Sequence, residues 1–155
     1  MMGGGGQQQL QQLSQELQAI DEEIEALESD IDELQNEQSE IDEAIEAIGT
    51  LDSGSTVQVP LGGGAYVRAE VQDIDEIIVS LGADYAAEQS ADDAVDALET
   101  KRDALDDRIA EVSEEVDELE DESSDLEQQA QQMQQQMQQQ QMQQMQQMQE
   151  DGDGE

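Results

Sequence analysis

Residues 56–87 read TVQVPLGGGAYVRAEVQDIDEIIVSLGADYAA, and this glycine-punctuated block decides the fold. Thr56 to Leu61 alternates around Val57 and Val59, Gly62-Gly63-Gly64 turns the chain, and Ala65 to Val71 alternates again with Val67, Ala69 and Val71 on one side. Period-two alternation on either side of a glycine turn predicts a β-hairpin. Ile77, Ile78, Val79 and Leu81 make a third strand, Gly82-Ala83-Asp84 a second turn, and Tyr85-Ala86-Ala87 a short fourth strand. Pro60 cannot donate to a ladder, so it suits a strand edge or turn.

Both flanks of this block change period. Before it, Leu10, Leu13, Leu17, Ile20, Ile24, Leu27, Ile31 and Leu34 step by alternating threes and fours, and Ile41, Ile45 and Ile48 resume the frame. After it, Val95, Leu98, Leu105, Ile109, Val112, Val116, Leu119 and Leu126 repeat the pattern, which continues through Ala130, Met133 and Met137. Such spacing lays one apolar seam along each of two coiled-coil helices. The predicted class is α+β: a long antiparallel helical hairpin with two β-hairpins between its helices. The expected segments are a flexible leader at 1–6, a first helix at 7–49 and a double hairpin at 50–89. A second helix at 90–149 is Met/Gln-rich from 131, and an acidic tail follows at 150–155. Gly49 is read as the stop of the first helix, which would be about 60 Å long. Ser90 is read as the N-cap of the second, with Asp92 and Asp93 placed favourably against the helix dipole.

An antiparallel arrangement allows the seams to be aligned. One register sets Ile41 against Val95, Gln38 against Leu98, Ile31 against Leu105, Ile24 against Val112 and Leu10 against Leu126. It would place Glu37 near Lys101, Asp30 near Arg108 and Arg102 opposite Leu34, from where it can snorkel outward to acids, and would leave residues beyond Ala130 without a partner from the first helix. Methionine is flexible and polarizable, which suits such a free end to varied apolar shapes. A pair of two-stranded hairpins has little core of its own, so the strands are expected to pair with β units of other subunits.

Composition excludes several functions. The chain carries 42 acidic residues, 4 basic ones, no histidine and no cysteine, for a net charge of −38. That charge argues against nucleic acid or anionic lipid as a partner. At roughly 1 M salt the Debye length falls to about 3 Å and self-repulsion is largely screened, so the acidity reads as adaptation to a salt-rich cytoplasm. No apolar run approaches the roughly 18 residues of a membrane span, and Met1 to Gly6 lack the basic-then-apolar pattern of a secretory leader, so none is expected. Without histidine or cysteine, and with carboxylates on solvated helix faces, no catalytic centre is expected. The glycine runs lack the GxxxxGK[ST] pattern of a phosphate cradle, and the terminal Asp-Gly repeats lack calcium-loop spacing. No cofactor and no metal site are expected.

The stretches Val57 to Ala69 and Ile77 to Glu88, with their VPLG and VSLGADY elements, resemble the α subunits of archaeal prefoldin, also called GimC. The resemblance spans about the whole chain. It implies an ATP-independent holdase, not an enzyme: a hexamer of two α and four β subunits whose hairpins join in a β-barrel platform bearing coiled-coil tentacles. The tentacle tips would capture unfolded polypeptides and deliver them to a group II chaperonin in the cytoplasm. Candidate client contacts are Leu10, Leu13, Met133, Met137, Met142, Met145 and Met148; candidate assembly contacts are Val57, Val59, Leu61, Val67, Ile77, Ile78, Val79 and Leu81. Tyr66 and Tyr85 are read as packing aromatics. The alternative is a structural coiled-coil adaptor or spacer, which needs no apolar tips.

Overall fold

The computed structural model describes residues 3–152. Helix α1 (Gly3–Thr50) is followed by strands β1 (Thr56–Gly62), β2 (Ala65–Glu70), β3 (Ile77–Gly82) and β4 (Tyr85–Gln89), and then by helix α2 (Ala91–Gly152). All four strands fall where the alternation predicts them. They form two separate two-stranded antiparallel sheets, β1 with β2 and β3 with β4.

The two hairpins share one design. In the first, Pro60 pairs with Tyr66 and Gly62 with Ala65, leaving Leu61 as a bulge and Gly63-Gly64 as the loop. In the second, Ser80 pairs with Ala86 and Gly82 with Tyr85, leaving Leu81 as the bulge and Ala83-Asp84 as the loop. Both loop residues of each hairpin have positive φ, the requirement of a two-residue turn whose twist matches the strands. The first hairpin meets this requirement with glycines. The second holds Ala83 at φ 50° and Asp84 at φ 63°, where an alanine is strained.

The helix ends differ in detail from expectation. Gly49 does not stop α1, because its φ is not positive and the helix runs on to Thr50. The terminal carbonyl is satisfied instead by Leu51 N–H donating to Ala47 O at 3.0 Å and by the Thr50 hydroxyl at 3.0 Å. α1 begins at Gly3, so the glycines assigned to a leader are helical through Gly6, and Glu150 to Gly152 extend α2. The leader expected at Met1-Met2 and the tail expected at Asp153 to Glu155 lie outside the described residues. Ser90 caps α2 as predicted, its Oγ accepting from Asp93 N–H at 3.3 Å, while Asp75 Oδ1 accepts from Ala91 N–H at 3.4 Å.

The chain divides into two compact units, one running from Ile31 to Glu111 and the other containing the outer part of each helix, up to Asp30 and from Val112. The core of the first unit is Val79, Ala94 and Leu98, packed by Ile41, Ala44, Ile45, Ile48, Ile77 and Ala97. One face of the second hairpin is therefore closed by both helices. In the other unit Ile20, Val112 and Val116 are buried in the heptad seam.

Candidate functional site

Two surfaces are chemically distinctive. The first lies on the hairpins. β3 alternates up to its bulge: Ile77 and Val79 enter the core, whereas Ile78 stands 69% exposed on the opposite face. Leu61 and Leu81, the two bulge residues, are exposed, as are Val59 and Val67, which pair directly across β1 and β2. Val57 is half-buried. Tyr66 and Tyr85, read as packing aromatics, are instead exposed beside the two loops. Of the candidate assembly residues, Ile77 and Val79 therefore pack within the chain, and the remaining six are at least partly open. Tyr85 directly follows its φ > 0 turn and Tyr66 comes one residue later past the first, positions from which a side chain at a hairpin end has little neighbouring structure to cover it.

The second surface is the uncharged end of the helices. Between Gln128 and Gln149 the chain has no charged side chain, and none precedes Glu16. Here α1 and α2 meet: Met137 lies against Gly6, where an added Cβ would sit 3.4 Å from Sδ. A shallow cleft of about 250 Å³ is lined by Gln9, Gln12, Leu13, Glu16, Gln129 and Met133. Leu10, Leu13, Met133 and Met137 are half-buried in this contact. Met142, Met145 and Met148 are 70%, 72% and 79% exposed.

These contacts correct the expected register. Gln38 Nε2 donates to the Arg102 carbonyl at 3.3 Å and to Asp106 Oδ1, rather than facing Leu98. Arg102 reaches outward to an acid as expected, pairing with Asp42 at 2.7 Å, whereas Arg108 bonds Glu111 on its own helix at 3.1 Å rather than Asp30. Hydrogen bonding and charge from Asp42 raise the Arg102 pKa above its ordinary value, so this guanidinium stays charged. In the outer unit Gly6 meets Met137 where the expected alignment offers Ala130. Both shifts equal about one heptad. Consequently α2 remains partnered through Met137, seven residues further than expected.

Among the described residues no helix is long and apolar enough to cross a membrane, and no acidic cluster has the arrangement of a metal site.

Paired heptad helices joined through twin hairpins, with exposed strand residues and an uncharged methionine-bearing end, define a coiled-coil subunit built for association rather than catalysis. The profile described as "Prefoldin subunit" matches residues 20–143. Prefoldin subunit alpha of Halorubrum lacusprofundi is 82% identical over 71% of this chain and 72% of its own length. The same-named protein of Haloquadratum walsbyi is 81% identical over 68% of this chain and 69% of its own length. Among solved structures, filamentous PFD from Methanocaldococcus jannaschii superposes with a TM-score of 0.63 at 26% identity, covering 71% of this chain and 93% of that one. The chain belongs to the prefoldin family: it is a chaperone subunit, not an enzyme.

Proposed function

We propose that this chain is the α subunit of a hexamer of two α and four β subunits, working in a salt-rich cytoplasm as a nucleotide-independent holdase. The observation that carries this reading is the presence of two apolar surfaces, one in each compact unit, on a chain of net charge −38. Segment 50–89 supplies the assembly surface. Val57, Val59, Leu61, Val67, Ile78 and Leu81 would be covered by β-subunit hairpins in a barrel, since exposed apolar strand residues and open ladder edges favour pairing with further strands.

The helix ends supply the capture surface. An unfolded polypeptide presents apolar segments of varied shape, and methionines adapt to them without a fixed pocket. The contact set is Leu10, Leu13, Met133, Met137, Met142, Met145 and Met148. A chain this acidic repels acidic polypeptides where its own charges are dense, and with the charge-free run Thr56 to Val67 assigned to assembly, the uncharged helix end is left for capture. The held polypeptide then passes to a group II chaperonin.

Light scattering in molar salt, on this chain alone and mixed with a β subunit, tests the assembly. The expected result is a mass of six subunits for the mixture. Truncation after Ala130 should spare that mass and abolish suppression of client aggregation; a truncated complex that holds clients as well as the full one would overturn the capture site.

A further inference from the structure

We infer that Met142, Met145 and Met148 form an oxidation site at which peroxide-class oxidants switch off capture, an inference that rests on the proposed holdase reading. Beyond Leu126 the only apolar side chains larger than alanine are methionines, although leucine, isoleucine and valine fill the seam elsewhere. The apolar character that α2 brings to this end therefore depends on thioether chemistry, with Leu10 and Leu13 contributed by α1.

The five methionines of α2 are not equivalent. Met133 and Met137 continue the heptad frame and are half-buried against α1. The next frame positions are Gln140, Gln144 and Gln147, so the seam becomes polar where the methionines leave it. Met142, Met145 and Met148 are spaced by three, each stepping back about 60° around the helix, and together they make a separate open face. All three are at least 70% exposed.

In the reaction with hydrogen peroxide, sulfur attacks the distal oxygen. The O–O bond breaks, an S–O bond forms, the sulfur loses two electrons and the remaining hydroxide leaves as water after proton transfer. Each thioether becomes a sulfoxide, a polar group with a strong acceptor oxygen. Burying it against an apolar client segment then costs the desolvation of an unpaired acceptor. The chain has no cysteine or tryptophan to consume the oxidant first.

The test uses the assembled complex in molar salt, hydrogen peroxide as oxidant and chemically denatured citrate synthase as the probe client. Peptide mass mapping, at about 16 Da per added oxygen, should show Met142, Met145 and Met148 oxidised at least about 3-fold faster than Met133 and Met137. Suppression of client aggregation should fall about 3-fold or more as those three convert. Holding by the variant M142L/M145L/M148L, expressed relative to that variant's own untreated capacity, should be unaffected by peroxide, because leucine has no sulfur to oxidise. Intact holding by the sulfoxide form, or equal loss in the leucine variant, would overturn the inference while leaving capture at this end standing. Failure of the untreated complex to hold the client would overturn the capture reading and the inference together.

Discussion

Val59 and Val79 occupy the same place in two hairpins of common design, each two residues before the bulged leucine, yet Val59 is 40% exposed and Val79 is 5% exposed. The difference comes from their surroundings: Val79 is closed in by Ala94, Leu98 and the isoleucines of α1, whereas no such core includes Val59. Val79→Ala should destabilise the isolated chain by about 2 kcal/mol, as truncation of a buried aliphatic does. Val59→Ala should leave chemical denaturation of the isolated chain within about 0.5 kcal/mol of the parent and weaken hexamer formation instead. Equal effects of the two on the isolated chain would refute this division between core and assembly faces.

The helix register can be read by disulfide capture, because the parent has no cysteine. Gly6 meets the Met137 side chain, with Cγ 3.7 Å from the position of a Cβ at residue 6. A G6C/M137C variant should close an intrachain disulfide under mild oxidation, whereas G6C/A130C, the pair offered by the alignment one heptad earlier, should remain reduced. Non-reducing electrophoresis of the unfolded chains separates the two outcomes.

That heptad shift marks the boundary of what the sequence makes legible. The strands, both turns, the Ser90 cap and every seam position follow from local chemistry: glycine at positive φ, period-two alternation, and apolar steps of three and four. Register does not, because displacing two heptad seams by seven residues returns every seam residue to a seam. The choice then falls to a few polar contacts, such as Gln38 with Arg102 and Asp106 and Arg102 with Asp42, whose partners are surrounded by similar acids in sequence. At the candidate site the heptad frame already separates Met133 and Met137 from Met142, Met145 and Met148, but the covering of the first two by α1 was not legible, because it depends on where α1 begins. The burial of Ile77 and Val79 was likewise hidden, since alternation identifies two faces of a strand without saying which one the helices cover.

Gln38 is a polar residue at a seam position, a device that fixes alignment at a cost in stability. Gln38→Leu should raise the denaturation midpoint while admitting the neighbouring register. In the G6C/A130C background this substitution should produce measurable crosslinking where the parent shows none. A higher midpoint with no new crosslink would mean that other contacts hold the alignment.

Ala83 carries the strain of a left-handed conformation at φ 50°, in a turn whose counterpart uses Gly63. Replacing it by glycine removes a steric penalty of about 1 kcal/mol, partly offset by the greater freedom of glycine in the unfolded chain. Ala83→Gly should thus stabilise the chain by about 0.5 kcal/mol, and Gly63→Ala should destabilise it by about 1 kcal/mol. Urea denaturation with unchanged slope checks both, and a destabilised Ala83→Gly would show that the turn is not strained.

Salt should act on the two functions of the chain unequally. The net charge of −38 is distributed along both helices but is absent from Gln128 to Gln149. Between about 0.1 M and 1 M salt the Debye length falls from about 10 Å to about 3 Å, so repulsion among neighbouring acids weakens over that range. The two ion pairs of Arg102 and Arg108 are exposed and also lose strength, but exposed pairs contribute only about 0 to 1 kcal/mol each. Repulsion therefore dominates, and the denaturation midpoint should rise steeply with potassium chloride before levelling near molar concentration. Client affinity of the folded complex, governed by uncharged methionine and glutamine side chains, should change by less than about threefold across the concentrations at which folding is complete. Measured in parallel by circular dichroism and by binding of one fluorescent denatured client, a steep fall of affinity with salt would show that charged groups take part in capture and would move the site off the uncharged end.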